Sequence, residues 1–200
     1  MLLRIFIALA AILFLADAGK SAEGEECPRL SVAGKGYVLE RDNNSQYEVF
    51  HDGANVRTIL RQRGQVLLET TQYEGLFDLD RLDRGRRTTL KPQSNLAKFF
   101  PLRAKQQIVA EFEVVAAGTS PIKRTVALKV IGDDEFYIGK CKYKVLKIEH
   151  RQSQGDNAAP VFYDFEYYAP ELKLVIAKEF KERDGRTTIN KYDKIYLRGD

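Results

Sequence analysis

The chain has 200 residues, 44% apolar and 30% charged, with a formal net charge of +4. That length suits one domain with a proper core and is short for two. Two histidines and two cysteines fall short of the paired spacings that zinc sites use, so no metal and no cofactor is expected.

The opening run MLLRIFIALAAILFLADA sets one positive residue, Arg4, before an uncharged apolar stretch over 5–15. Ala16-Asp17-Ala18 then offers the small-x-small pattern of a signal-peptidase site. A membrane helix needs roughly 18 apolar residues, more than this run supplies. The expected organisation is a cleaved signal over 1–18, an N-terminal segment over 19–34 and a single β-rich domain over 35–200. No later stretch is long and apolar enough to span a bilayer. Export places the domain in the periplasm, away from nucleic acid, with its basic residues facing anionic lipid or water. That compartment permits oxidation, and Cys27 and Cys141 have one intramolecular pairing available. The disulfide would close a loop worth nearly ~5 kcal/mol in the chain-entropy picture. The alternative is two buried thiols behaving as small hydrophobes.

Short runs of period two, broken by turn residues, fill the rest of the chain. They predict strands at 35–41, 45–51, 55–63, 65–74, 105–116, 122–132, 135–151, 160–168, 172–183 and 186–197. Hairpin turns are read at Arg41-Asp42-Asn43-Asn44, Arg63-Gly64, Gly132-Asp133-Asp134 and Arg183-Asp184-Gly185. The stretch 78–91, dense in both charges, reads as a solvated loop. A short helix over 94–100 is capped by Ser94 or Asn95, carries Leu96, Phe99 and Phe100 on one stripe, and stops at Pro101. In 105–115, Ile108, Ala110, Phe112 and Val114 share the apolar face. Within 141–148 the parity changes between Val145 and Leu146, which predicts a one-residue bulge there.

Catalytic chemistry is not legible. No nucleophile elbow, phosphate-cradling loop or dinucleotide fingerprint occurs. His51 falls in a turn, and His150 ends a strand beside Glu149 and Arg151, where exposure is expected. The chain therefore reads as a non-enzyme with no catalytic residues.

Residues 162–180 crowd five aromatics before Pro170. Alternation gives Tyr163, Phe165 and Tyr167 one face, taken as the inward one, opposite Asp164 and Glu166. Tyr168-Ala169-Pro170-Glu171-Leu172, its following strand, the turn at Gly185 and Gly139-Lys140-Cys141 carry a resemblance over 135–197. This region resembles the C-terminal end of a loose group of exported bacterial envelope proteins, similar in build to the LolA/LolB-like lipoprotein carriers. Proteins of that group carry Gly after Pro-Glu-Leu, where this chain has Lys173. The resemblance implies an open curved sheet and nothing catalytic.

The expected fold is all-β: a single curved antiparallel sheet or incomplete barrel, with the 94–100 helix over one opening. Two functions fit it. One is a periplasmic carrier with an apolar concavity for a lipid-like or amphiphilic molecule, lined by Leu96, Phe99, Phe100, Phe112, Tyr163, Phe165 and Tyr167. The other is a structural protein of the envelope that binds another envelope protein and has a fully packed core.

Overall fold

The computed structural model describes residues 27–30, 36–41, 44–155, 162–182 and 184–199. The expected signal at 1–18 and most of the segment at 19–34 lie outside the described residues.

The first four period-two runs form β1 (Tyr37–Arg41), β2 (Ser45–Asp52), β3 (Asn55–Gln62) and β4 (Gln65–Tyr73). The stretch expected as a solvated loop is instead a hairpin of β5 (Phe77–Asp83) and β6 (Arg86–Pro92). Its turn explains the difference. Arg84 and Gly85 take φ of 47° and 82°, repeating the Arg63-Gly64 turn at 51° and 80°. Two consecutive left-handed residues give the turn whose twist matches a hairpin. Charge density does not oppose pairing here, because Arg87 Nε reaches Asp80 Oδ1 across the strands at 2.9 Å. After β6, one 3-10 turn, Leu96–Phe99, stands where the helix was expected, with Asn95 accepting from the Ala97 amide at 2.9 Å.

Next come β7 (Gln107–Ala116), β8 (Ile122–Ile138) and β9 (Cys141–Gln154). Gly132-Asp133-Asp134 is not a turn: β8 runs through it with a register shift between Val130 and Gly132, and the chain reverses at Gly139-Lys140. The bulge expected at Val145-Leu146 is absent too. Both residues keep regular partners, Asp134 and Asp133, yet both are buried. Neighbours on a strand point to opposite faces. Val145 accordingly joins one apolar cluster, with Tyr37, Leu39, Tyr143 and Ile176, and Leu146 joins a second, with Phe77, Phe112 and Ile148. The long β8–β9 hairpin buries one face at its base and the other at its tip.

The chain ends with β10 (Phe162–Ala169), β11 (Leu174–Lys181), β12 (Thr187–Lys191) and β13 (Lys194–Leu197). Every pairing is antiparallel, in the order β12-β11-β10-β9-β8-β7-β6-β5-β4-β3-β2-β1-β13. The run expected as one strand at 186–197 is therefore split. Its first half pairs with β11 and its second with β1, at opposite edges of the ladder. Only Tyr192 and Asp193 separate the halves, so the two edges meet. The sheet is rolled into an incomplete barrel whose hydrogen-bond ladder remains open.

Two tethers hold the corner of the first cluster. Cys27 and Cys141 form the disulfide, with Cα atoms 5.5 Å apart, and Tyr143 donates to the Pro28 carbonyl at 3.2 Å. At the β4–β5 turn, a Cβ on Gly75 would stand 1.8 Å from the Lys173 carbonyl, so only glycine fits. Lys173 itself sits at φ 47°, a left-handed conformation that disfavours a residue with a Cβ. Its ammonium meets Glu74 at 3.0 Å and the Gly53 carbonyl at 3.2 Å, anchoring the strained turn.

Replacing Cys27 with Ser is expected to lower stability by about 2–5 kcal/mol in chemical denaturation, as loss of a native long-loop disulfide does. Phe77→Ala, at 1% exposure in the second cluster, is expected to cost about 3–5 kcal/mol. Val109→Thr, on the outer face at 62% exposure, should stay within about 0.5 kcal/mol. Similar losses at Phe77 and Val109 would contradict the inward register of the roll.

Candidate functional site

Rolling the sheet leaves a hollow of about 700 Å³ open to solvent. Each strand from β1 to β12 contributes a side chain to its wall. Leu60, Leu68, Leu76, Phe77, Leu90, Phe112 and Val126 make the apolar part. The rest is polar. Thr58, Thr70, Arg81 and Thr88 are successive cross-strand neighbours, forming one polar row over four strands. Among the wall's ions, Arg41, Arg81, Arg124 and Lys178 face Asp78 and Glu166, so cations predominate even before His150 is counted. Arg41 lies over the rings of Tyr192 and Tyr47, and its buried Nε has no hydrogen-bond partner. Thr58 Oγ1 is buried without one as well.

The densest chemistry lies where β9, β10 and β11 meet. His150 pairs with Asp164 across one ladder, and Glu166 pairs with Lys178 across the next. Asp164 and Glu166 are two residues apart on one strand, so both point to the same face. His150 Nδ1 donates to Glu166 Oε1 at 3.1 Å and stands 3.3 Å from Asp164 Oδ1. Lys178 Nζ lies 2.5 Å from Glu166 Oε1 and 3.6 Å from Asp164 Oδ2. The Gln152 carboxamide meets the other imidazole nitrogen at 3.2 Å. Phe162 covers the group, its ring edge-on to His150 and 5.7 Å from the Lys178 ammonium. His150, Asp164 and Glu166 are all buried. Their ligand atoms fall within 4.8 Å of one another, which makes them the described residues able to hold a metal ion.

Electrostatics makes the group two ion pairs. Burial alone would lower the His150 pKa, but the Glu166 charge and the bonds to both carboxylates outweigh it, raising it to about 9. Burial alone would raise Glu166, yet the charges of Lys178 and His150 hold it at about 2. Lys178 is raised as well: burial opposes its charge, and Glu166 and Asp164 overcome that. His51 contrasts. It is half-buried against the Leu172 carbonyl, and burial lowers its pKa.

The structure turns β10 over relative to the expected register. Asp164 and Glu166 face inward, while Tyr163 is 39% exposed and Phe165 is half-buried on the outside. Outside, the rings are covered by cations instead of core: Arg151 stands over Tyr163, and Lys147 over Phe165 and Tyr167. Tyr167 is buried in the first cluster and donates to Glu179 at 2.7 Å. Leu96 belongs to the second cluster, with Phe99 and Phe100 packed beside Phe77. Of the seven wall residues expected from the sequence, Phe112 alone stands among those lining the hollow. His150, expected to be exposed, is 4% exposed. The signal for the ionic group was Asp164-x-Glu166 within an aromatic strand, followed by Lys178, three charges that alternation places on one face.

The chain matches no protein-family profile and no curated protein. Among solved structures it is similar to the crystal structure of the hypothetical lipoprotein YmcC from Escherichia coli K12, with a TM-score of 0.46 and 7% identity, covering 78% of this chain and 86% of that one. At that score and identity the likeness carries no argument about function.

The two ion pairs set a pH window. His150, raised from 6.5 to about 9, contributes stability that is complete below 6.5 and lost as pH climbs through 9. Glu166, lowered from 4.5 to about 2, contributes stability that is complete above 4.5 and lost as pH falls toward 2. With chelator present, thermal melts should therefore peak between 4.5 and 6.5. His150→Gln should flatten the decline between 6.5 and 9, and an unchanged alkaline limb would show that His150 is not the group responsible.

Proposed function

We propose that this chain is an exported, non-enzymatic binding module whose hollow takes one anionic amphiphile. The observation that carries the reading is the wall itself: a cavity of about 700 Å³, half aliphatic and aromatic, half polar, with cations in excess. Volumes of roughly 300–1,000 Å³ are those of small-molecule sites, which combine apolar walls with a few polar groups that fix orientation. The apolar body of the ligand lies along Leu76, Phe77, Leu90, Phe112 and Val126. Its anionic head meets Arg41 and Arg124; Arg124 makes no ion pair with a described residue, and Arg41 carries a buried, unmet donor. A buried donor without a partner costs about 1–3 kcal/mol, which a ligand oxygen would recover. The wall is more polar and more cationic than the mostly apolar concavity expected from the sequence. The rival reading as a purely structural envelope protein calls for a packed interior, and the open hollow speaks against it. The disulfide fits an oxidising compartment.

A fluorescent fatty-acid probe and its neutral fatty-alcohol analogue test this. The acid should bind saturably at one site. Arg41→Ala with Arg124→Ala should weaken the acid about tenfold or more, leave the alcohol nearly unchanged, and preserve the melting temperature. Absence of saturable binding by both probes would overturn the proposal.

A further inference from the structure

We propose that His150, Asp164 and Glu166 form a binding site for one divalent transition-metal ion, with zinc the first candidate. The inference rests on the group's own geometry and stands whether or not the hollow binds an amphiphile.

Three observations converge. The first is the donor set: one imidazole nitrogen and two carboxylates, whose side chains are 6%, 0% and 4% exposed. Nitrogen and oxygen donors together suit Zn²⁺ and its transition-metal neighbours better than calcium or magnesium, which take oxygen alone. The second is spacing. Ligands about 2.0–2.2 Å from a tetrahedral zinc lie about 3.4 Å from each other. Nδ1 already stands 3.3 Å from Asp164 Oδ1 and 3.1 Å from Glu166 Oε1, ligand separation from each carboxylate, and the three ligand atoms lie within 4.8 Å of one another. The third is unmet valence. Both Asp164 oxygens and Glu166 Oε2 are buried without a close hydrogen bond; Asp164 holds only longer ion pairs, to His150 at 3.3 Å and Lys178 at 3.6 Å. Buried carboxylate oxygens are ordinarily satisfied, and three such atoms around one imidazole are what a cation would bind.

The surroundings are those of a metal site. Metal-bound histidines donate their second ring N–H to a partner that fixes the ring; the Gln152 carboxamide stands there at 3.2 Å and accepts that N–H with its oxygen turned to the ring. His150 and Glu166 both line the hollow, so an ion held by three protein ligands keeps a coordination position open toward it. The ion has two competitors: the His150 Nδ1 proton, which leaves to solvent as the nitrogen takes the metal, and Lys178, whose ammonium occupies Glu166 Oε1. Its side chain is 37% exposed along the wall of the hollow, and the charge of Asp78 already acts on it. Lys178 can therefore withdraw from Glu166 toward Asp78 when the ion enters.

The test uses untagged, chelator-stripped full-length mature protein and Zn²⁺ alone. Calorimetric titration should show one saturable site. Asp164→Asn and Glu166→Gln should each weaken it about 100-fold or more, and His51→Gln should leave it unchanged. Lys178→Met, which removes the competing charge, should tighten it about tenfold; a plain ion-pair network gives no reason for that gain. The chain has two histidines, so imidazole NMR of the wild type reads the site without any substitution. Zn²⁺ should shift the His150 Nδ1 resonance and leave that of His51 in place. An unmoved His150 resonance at about millimolar Zn²⁺ would overturn the proposal even if every variant failed to fold. So would Zn²⁺ affinity unaffected by the carboxylate substitutions.

Discussion

The whole architecture depends on a two-residue passage. β12 closes one edge of the ladder and β13 the other, and Tyr192-Asp193 is all that joins them. A twisted sheet of thirteen strands left open would splay its edges far apart. Here the edges must lie within one short step, and the Asp193 amide confirms it by bonding the Glu40 carbonyl on β1 at 2.8 Å. Rolling follows from this link, and the hollow follows from rolling. So many strands cannot be brought round to meet without leaving a middle too wide for their side chains to fill.

A hollow middle reverses the usual sorting of residues. In a filled core, ions would face outward and rings inward. In this roll, the inner face of β10 presents Asp164 and Glu166, and the outer face presents Tyr163 and Phe165. Both halves of that inversion are compensated. The inward carboxylates have His150 and Lys178 as counter-charges, which keeps a buried group of ions near neutral. The outward rings have the stems and charges of Lys147, Lys181 and Arg151 above them.

Much of the fold was legible because period two is a strong signal and because x-Gly turns are specific. The Arg63-Gly64 hairpin and the capped turn at Asn95 both follow from local chemistry. Where the reading failed, a second effect overrode a sound local rule. Charge density masked the hairpin at Arg84-Gly85, although its turn matches the one at Arg63-Gly64. Parity at Val145-Leu146 suggested a bulge, since one strand buried on opposite faces along its length is a tertiary fact. The ionic group was lost because apolar residues were assigned to the interior of β10. That rule fails when the interior is hollow, and no local pattern says whether it is. The link through Tyr192-Asp193 reads in sequence as the middle of one strand.

The meander also has a kinetic side. Along the ladder, every pairing but one joins strands adjacent in sequence, so hairpins can zip up in turn at little cost in loop entropy. The exception is the seam of β1 with β13, where Tyr37 meets Leu197 and Glu40 meets Lys194. That seam gathers the two ends of the described chain with four paired residues, and it is the ladder contact with the longest loop to close. Its closure therefore carries the largest loop-entropy cost in the sheet. The same four pairs carry Tyr37, Leu39 and Ile195 into the first cluster, so the longest closure in the ladder is also the one that buries its first strand.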